Sequence, residues 1–167
     1  MELFISDLDG TLLNGNAEVT EFTRDTLNRL MAKGLNFTAA TARTLASAGK
    51  ILLGLDLKLP VILMNGVLIY DMAEKKYVKI NSLSRELCGL IIGLSKGIGL
   101  EPFMYSVSDN QLSTRYERLI SPAMKSFYNE RRKKYYKSFT QVSDLSRYIC
   151  CSPRKIRKTQ KCGITRN

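Results

Sequence analysis

The apolar residues of the first eighty positions follow two alternating rhythms. Leu3-Phe4-Ile5 is a short continuous run leading to Asp7, and it predicts a buried first strand over 3–7. Val19, Phe22, Thr26, Leu27, Leu30 and Met31 then recur at helical spacing until Gly34, which predicts a helix with that stripe facing a core. Leu35 to Thr41 mixes β-branched, aromatic and small residues and reads as a second strand, with a helix expected over about 44–53. Pro60 to Asp71 is a longer apolar run, broken only by Asn65-Gly66, and predicts a strand covered on both faces. Strands alternating with helices in this way predict an α/β core with a parallel sheet.

Beyond residue 80 the rhythm loosens. Ser84 is placed to cap a helix carrying Leu87, Leu90, Ile91 and Leu94, which Gly97 and Gly99 would stop. Short strands are expected near 101–107 and 111–116, then a helix over about 122–134 with Ala123, Met124, Phe127 and Tyr128 on one face. The chain therefore divides into an α/β part, residues 1–80, a looser part, 81–149, and a tail, 150–167, that has no apolar periodicity and no acidic residue.

The first strand delivers the candidate chemistry. Residues 7–13 read Asp-Leu-Asp-Gly-Thr-Leu-Leu. Side chains at i and i+2 share one side of extended chain, so Asp7 and Asp9 face one ligand, while Gly10 permits a sharp exit. Two close like charges need a cation between them, and a hard divalent ion, Mg²⁺, would neutralise the pair and draw in a phosphate. A second candidate site lies between strand two and its helix, where the Thr41 hydroxyl and the orphan amides of a helix start can hold a phosphate oxygen; an ordinary helix cap has the same signature. Asn65-Gly66 is also a common turn signal between two strands.

With these motifs in order, the chain resembles the haloacid dehalogenase-like phosphatases, and its later segments resemble their Cof-type branch. The resemblance rests on Asp7 to Leu13, on Ala40-Thr41-Ala42-Arg43, where the branch usually has Thr-Gly-Arg, and on Asn65-Gly66. It implies a Rossmann-like core with a parallel sheet, incomplete here, and part of an α+β cap domain that covers the site and selects substrate. It implies that Asp7 is the nucleophile of an aspartyl-phosphate mechanism and Asp9 the general acid and base, both serving Mg²⁺. Thr41 and the amides at Gly10 and Thr11 would hold the phosphoryl group, with Arg43, Asn65 and Gly66 near the substrate, a sugar phosphate or similar small metabolite. Ala42 in place of glycine is a departure that tightens or displaces the loop.

Composition removes other chemistries. The chain has no histidine, which excludes Ser-His-Asp hydrolysis, His phosphotransfer and His-ligated zinc. No run approaches the roughly 18 apolar residues of a membrane span, and Glu2 followed at once by a strand predicts no signal peptide, so a cytoplasmic protein without membrane partners is expected. Cys88, Cys150, Cys151 and Cys162 lack zinc-site spacing and are expected as free thiols. The net charge of +11 is unevenly placed: residues 1–80 are balanced, and the excess lies in 81–149 and the tail. Arg131-Arg132-Lys133-Lys134-Tyr135-Tyr136 mixes charge with rings as single-strand binders do, although charge runs are usually a solvated helix face.

The resemblance also implies a lysine and a later Gly-Asp-x-x-Asn-Asp motif, and neither occurs where it would be needed. Lys161 has a faint likeness to the first, and Asp56, Asp109 and Asp144 lie in unsuitable contexts for the second. The expectation is a phosphohydrolase represented by its N-terminal portion, with an aberrant tail after about residue 149 and a first strand left as an exposed edge prone to self-association. Two other readings stay open: a non-catalytic phosphate-binding module, and a basic nucleic-acid-binding protein using residues 131–137 and the tail.

Overall fold

A computed structural model describes residues 2–135 and 137–149; the expectations for the tail, Tyr136 and Lys161 lie outside the described residues. The first part runs β1 (Leu3–Ser6), α1 (Glu21–Ala32), β2 (Asn36–Ala39), α2 (Leu45–Ile51), β3 (Val61–Leu63), β4 (Leu68–Asp71) and β5 (Lys76–Ile80). β1 and β2 pair in parallel, Phe4 opposite Phe37 and Ser6 opposite Ala39. A parallel bridge between Ala40 and Ile62 carries the sheet on to β3. The parallel α/β arrangement is thus as expected, with β1 at its edge.

The core forms where the apolar rhythms meet. Leu8, Met31, Phe37, Ala39, Ala48, Leu52, Val61, Leu63 and Leu68 are buried in one cluster, drawn from every segment between the first turn and β4. At about 25 cal/mol per Å² of apolar area, that cluster is the main stabilising term of this half. Thr20 begins α1 by accepting from the Thr23 amide, and Gly34, at φ +103°, ends the helix and turns the chain into β2.

Several expectations are corrected here. The Pro60–Asp71 run is not one strand: β3 and β4 pair antiparallel as a hairpin, and β5 adds antiparallel to β4. Met64 and Asn65 take left-handed φ of 50° and 55°, with Gly66 at 87°, so Asn65-Gly66 does form the turn its composition signals. The α1 stripe is only half buried. Met31 and Val19 lie inside, whereas Phe22 is 79% exposed and Leu30 also faces out. β1 is likewise half exposed at Leu3, Phe4 and Ile5, because nothing among the described residues pairs with its second edge.

The second part comprises α3 (Arg85–Gly97), β6 (Met104–Ser108), β7 (Gln111–Tyr116), α4 (Pro122–Tyr135) and β8 (Phe139–Gln141), then a 3₁₀ turn over Leu145–Tyr148. β6 and β7 form an antiparallel hairpin, and β8, which the sequence pattern does not predict, adds parallel to β7. Phe103, Tyr116, Phe127, Tyr128 and Phe139 make a mainly edge-to-face aromatic cluster with centroid separations of 5.0–6.5 Å. Buried Glu101 is held by the Arg118 guanidinium, and Glu117 accepts from Lys96 at 2.8 Å and from the Leu145 amide at 2.7 Å. Ser84 caps α3 as expected, accepting from the Leu87 amide. The predicted apolar face of α3 is not buried, however. Leu87, Leu90, Ile91 and Leu94 are all exposed, and Ile92 is the side chain that goes inside.

Candidate active site

Asp7 is the first residue past β1, so the strand ends one residue earlier than its pattern predicts. The chain then makes a single wide turn, closed by Leu12 N–H to the Asp7 carbonyl at 3.3 Å and Leu13 N–H to the Leu8 carbonyl at 3.0 Å. Leu8 between the two aspartates is fully buried, which turns Asp7 and Asp9 outward together. Asp7 is anchored by its own neighbour: Oδ1 accepts from the Leu8 amide at 2.7 Å, leaving Oδ2 without a hydrogen bond among the described residues. Gly10 stands at φ +74°, a left-handed conformation that a Cβ would strain, and that kink brings Thr11 to the exposed rim.

The loop after β2 meets this turn. Thr41 is buried, its amide bonded to the Ile62 carbonyl at 3.0 Å. Its Oγ1 accepts from the Arg43 amide at 3.1 Å, so the hydroxyl hydrogen stays available to a phosphate oxygen. Arg43 then grips Asp9 with both arms, Nε to Oδ2 at 2.8 Å and a terminal nitrogen to Oδ1 at 2.6 Å. This fork joins two predicted motifs across 34 residues of sequence. The third motif is fastened to the second by backbone: the Asn65 amide donates to the Thr41 carbonyl and the Met64 amide to the Arg43 carbonyl, both at 3.1 Å. Asn65 itself is exposed, and the Gly66 carbonyl accepts from the Asn81 side chain at 2.7 Å. Ala42 does not prevent this closure. The helix that follows contributes less than expected, since α2 has only seven residues and its Thr44 makes no side-chain cap.

The electrostatics bear on roles. The Arg43 hydrogen bond holds the Asp9 carboxyl below the usual carboxylate range, outweighing desolvation, with the Arg43 and Arg131 charges adding to the effect. Arg43 is in turn pushed well above its ordinary value, chiefly by Asp9, with the Tyr135 hydroxyl as a weaker second partner. In this arrangement Asp9 is an anion neutralised by a fork, and it can donate a proton only after Arg43 lets go.

The donor set fits a magnesium ion only in part. No group of three or more acidic or cysteine side chains gathers among the described residues. Asp7 Oδ2 is one free hard donor, and both Asp9 carboxylate oxygens are taken by Arg43. Mg²⁺ is commonly held by one or two carboxylates with waters and substrate phosphate, so the pair suits an ion that arrives with its phosphate better than a resident one. Asp56, Asp109 and Asp144 do not join the site; Asp144 is spent on the Ser146 amide at 2.9 Å. Cys88 is a free thiol, away from the aspartates in the lining of an apolar cavity of about 430 Å³ between the Met64–Leu68 segment, α3 and β6.

Arg131 and Tyr135 of α4 are functional candidates that the sequence reading missed. Their mixture of charge and rings was visible; that the fold sets them beside Asp9 and Arg43 was not. The same geometry weakens a nucleic-acid reading, because the rings are occupied by their own helix: Arg131 lies 5.2 Å from the centroids of both Phe127 and Tyr135, and Arg132 lies 5.8 Å from that of Tyr128.

Comparison with known proteins bears on the family. A provisionally named phosphatase of Mycoplasma genitalium is 37% identical over 94 residues, 55% of this chain and 34% of that protein. A haloacid dehalogenase-like hydrolase from Bacteroides thetaiotaomicron superposes with a TM-score of 0.64 at 20% identity, over 86% of this chain and 52% of that one. A sugar phosphatase of the same superfamily superposes with a TM-score of 0.59 at 18% identity, over 88% and 55%. These likenesses under 25% identity speak to fold alone, and the chain spans about half the length of the solved relatives. The sequence profile described as haloacid dehalogenase-like hydrolase matches residues 4–162. With nearly the whole chain so matched, the protein belongs to the haloacid dehalogenase-like hydrolases.

Proposed function

We propose that this chain carries the phosphoryl-transfer half of a magnesium-dependent phosphohydrolase acting on small phosphate esters in the cytoplasm. The observation that carries the reading is the convergence of an outward Asp7 carboxylate oxygen, the Thr41 hydroxyl and the Arg43–Asp9 fork from separate segments of the chain. Asp7 Oδ2 attacks phosphorus, a bond forms between them, and the ester oxygen leaves. Thr41 Oγ1 and the backbone at Gly10 and Thr11 bind the phosphoryl oxygens, and Asn65 and Gly66 border the substrate. Asp9, released from Arg43 as the guanidinium turns to the incoming phosphate, takes up a proton and gives it to the leaving oxygen. It then accepts one from the water that hydrolyses the aspartyl-phosphate and restores Asp7. Asp7 and Asp9 would hold a Mg²⁺ ion, which would supply charge neutralisation for the incoming phosphate. Residues 1–80 serve as the catalytic core and 81–149 as a partial cap in this reading.

Turnover of an aryl phosphate with and without Mg²⁺, in this chain and in Asp7→Asn, tests it. Metal-dependent turnover that falls by about 10⁴-fold in the variant supports the mechanism. Equal rates in both sink it. The closed Arg43–Asp9 fork favours a second reading, a phosphate-binding module without turnover. That reading predicts phosphate affinity in both proteins and hydrolysis in neither.

A further inference from the structure

We propose that Arg131 and Lys137 form a second anion subsite above the phosphoryl site, so that the preferred ligand is a phosphate monoester bearing another anionic group, a carboxylate or a second phosphate. This rests on the reading of Thr41 and its neighbours as the phosphate site. Lys137 is only 8% exposed, just past the end of α4, and its backbone amide donates to the Arg131 carbonyl at 3.3 Å. Its Nζ lies 4.2 Å from the centre of the Tyr105 ring and 5.6 Å from that of Phe139. Among the described residues no carboxylate pairs with it, and its charged neighbour is Arg131, a like charge. Burying a cation beside another without a counter-ion is costly, and ring faces repay only part of that cost. Burial and Arg131 hold Lys137 down to about 8, so at neutral pH it remains mainly charged.

The missing negative charge has an obvious direction of approach. Arg131 acts electrostatically on Asp9, and Tyr135, one turn further along α4, stands against Arg43. Arg131 thus links the two: it reaches Asp9 on one side and has Lys137 as its neighbour on the other. Arg131, Arg132, Lys133 and Lys134 make no ion pair among the described residues, whereas Glu101, Glu117 and Asp144 of the same half are each paired with a cation elsewhere. A solvated helix face explains the outward ones; it does not explain a buried Lys137.

Isothermal titration of the full chain with glucose 6-phosphate, glucose 1,6-bisphosphate and 6-phosphogluconate tests the inference. One or both of the doubly anionic ligands should bind at least about tenfold more tightly than the monoester, the size of one charge-assisted hydrogen bond. A gain for the bisphosphate alone assigns a phosphate, and a gain for the phosphogluconate alone a carboxylate. Lys137→Met should erase the gain and leave glucose 6-phosphate binding unchanged; Arg131→Gln should erase the gain as well, whereas Arg131→Lys, which keeps the charge and guards against a folding artefact, should retain most of it. Thr41→Val should weaken all three ligands alike. Equal affinities in the wild type, with Thr41→Val still weakening each, overturn the second subsite and leave the phosphate site standing. A gain that survives both Lys137→Met and Arg131→Gln also overturns it. Binding indifferent to Thr41→Val overturns both readings together.

Discussion

The two halves of this chain bury their apolar residues with different success. In residues 2–80 the hairpin β3–β4, the strand β2 and the inner face of α1 close over a shared core in which Leu8, Leu63 and Val61 are completely buried. In residues 85–149 the aromatic cluster is compact, yet the α3 stripe of Leu87, Leu90, Ile91 and Leu94 stands in solvent, with Ile98 and Leu100 beyond it. The contrast teaches that an amphipathic pattern reports a face that needs a partner, not one that has found it. It also locates the unsatisfied surfaces of the first half, which are the edge strand β1 and the Phe22–Leu30 side of α1.

The contrast is broken most directly by truncating one leucine in each half. Leu63→Ala should cost about 2–5 kcal/mol of unfolding free energy in urea, the range for a fully buried leucine. Leu94, 62% exposed, should cost under about 0.5 kcal/mol when truncated. A comparable loss at both positions would mean that the α3 face is covered in solution. The edge strand gives the next largest effect. Sedimentation of the wild type should show a mass that climbs with concentration, because β1 offers free backbone groups flanked by half-exposed Leu3, Phe4 and Ile5. Ile5→Lys should weaken that association by about tenfold or more, as expected for losing one apolar anchor. A wild type that stays monomeric at every concentration would remove β1 as an association surface.

These surfaces mark where sequence reasoning stopped. The positions of Asp7, Asp9, Thr41 and Arg43 were legible because each follows a strand whose apolar run is short and sharply ended, and strand ends project loops to one side of a sheet. The Arg43–Asp9 fork was not legible. Each motif by itself offered only a residue type, and the pairing depends on parallel register between β1 and β2. The β3–β4 hairpin looks like one covered strand in the sequence, since a continuous apolar run carries no alternation to show a reversal, and only Asn65-Gly66 marks it. β8 went unseen because Phe139–Gln141 is three residues long and follows a charged helix end. In the sequence Lys137 is indistinguishable from the charge run before it, and burial is what separates it from those neighbours.

The fork itself supplies a smaller and sharper test. Arg43→Gln should free both Asp9 oxygens and let the Asp9 pKa rise toward the ordinary carboxylate range, since the Arg43 hydrogen bond is the largest cause of its depression. Removing one positive charge beside the aspartates should tighten Mg²⁺ binding by about tenfold at a partly solvated site. The stability change should be slight, on the order of 0.5 kcal/mol, because the Asp9 side chain is 55% exposed and screened. That contribution is present above the ordinary aspartate pKa and is lost as pH falls through the depressed value, so wild type and variant should converge in acid. Magnesium titration followed by calorimetry checks the first point. Unchanged affinity in the variant would show that Arg43 does not compete with the metal.

Lys137 carries the opposite pH dependence, in the half that is otherwise the less well packed. Its pKa is pushed down to about 8 by burial first and by Arg131 second, against an ordinary 10.5. Below pH 8 both folded and unfolded chains hold the proton, and the folded chain bears the full cost of a buried cation. Between about 8 and 10.5 the folded chain releases the proton before the unfolded chain does, and that cost fades. Lys137→Met should therefore be more stable than wild type at pH 7 by about 1 kcal/mol, with the difference shrinking toward pH 10. Urea unfolding at several pH values measures it. A difference that stays constant from pH 7 to 10 would mean that Lys137 reaches solvent. It would leave the second half with an ordinary surface lysine at this position, and the interior charge that sets its chemistry apart from the first half would be gone.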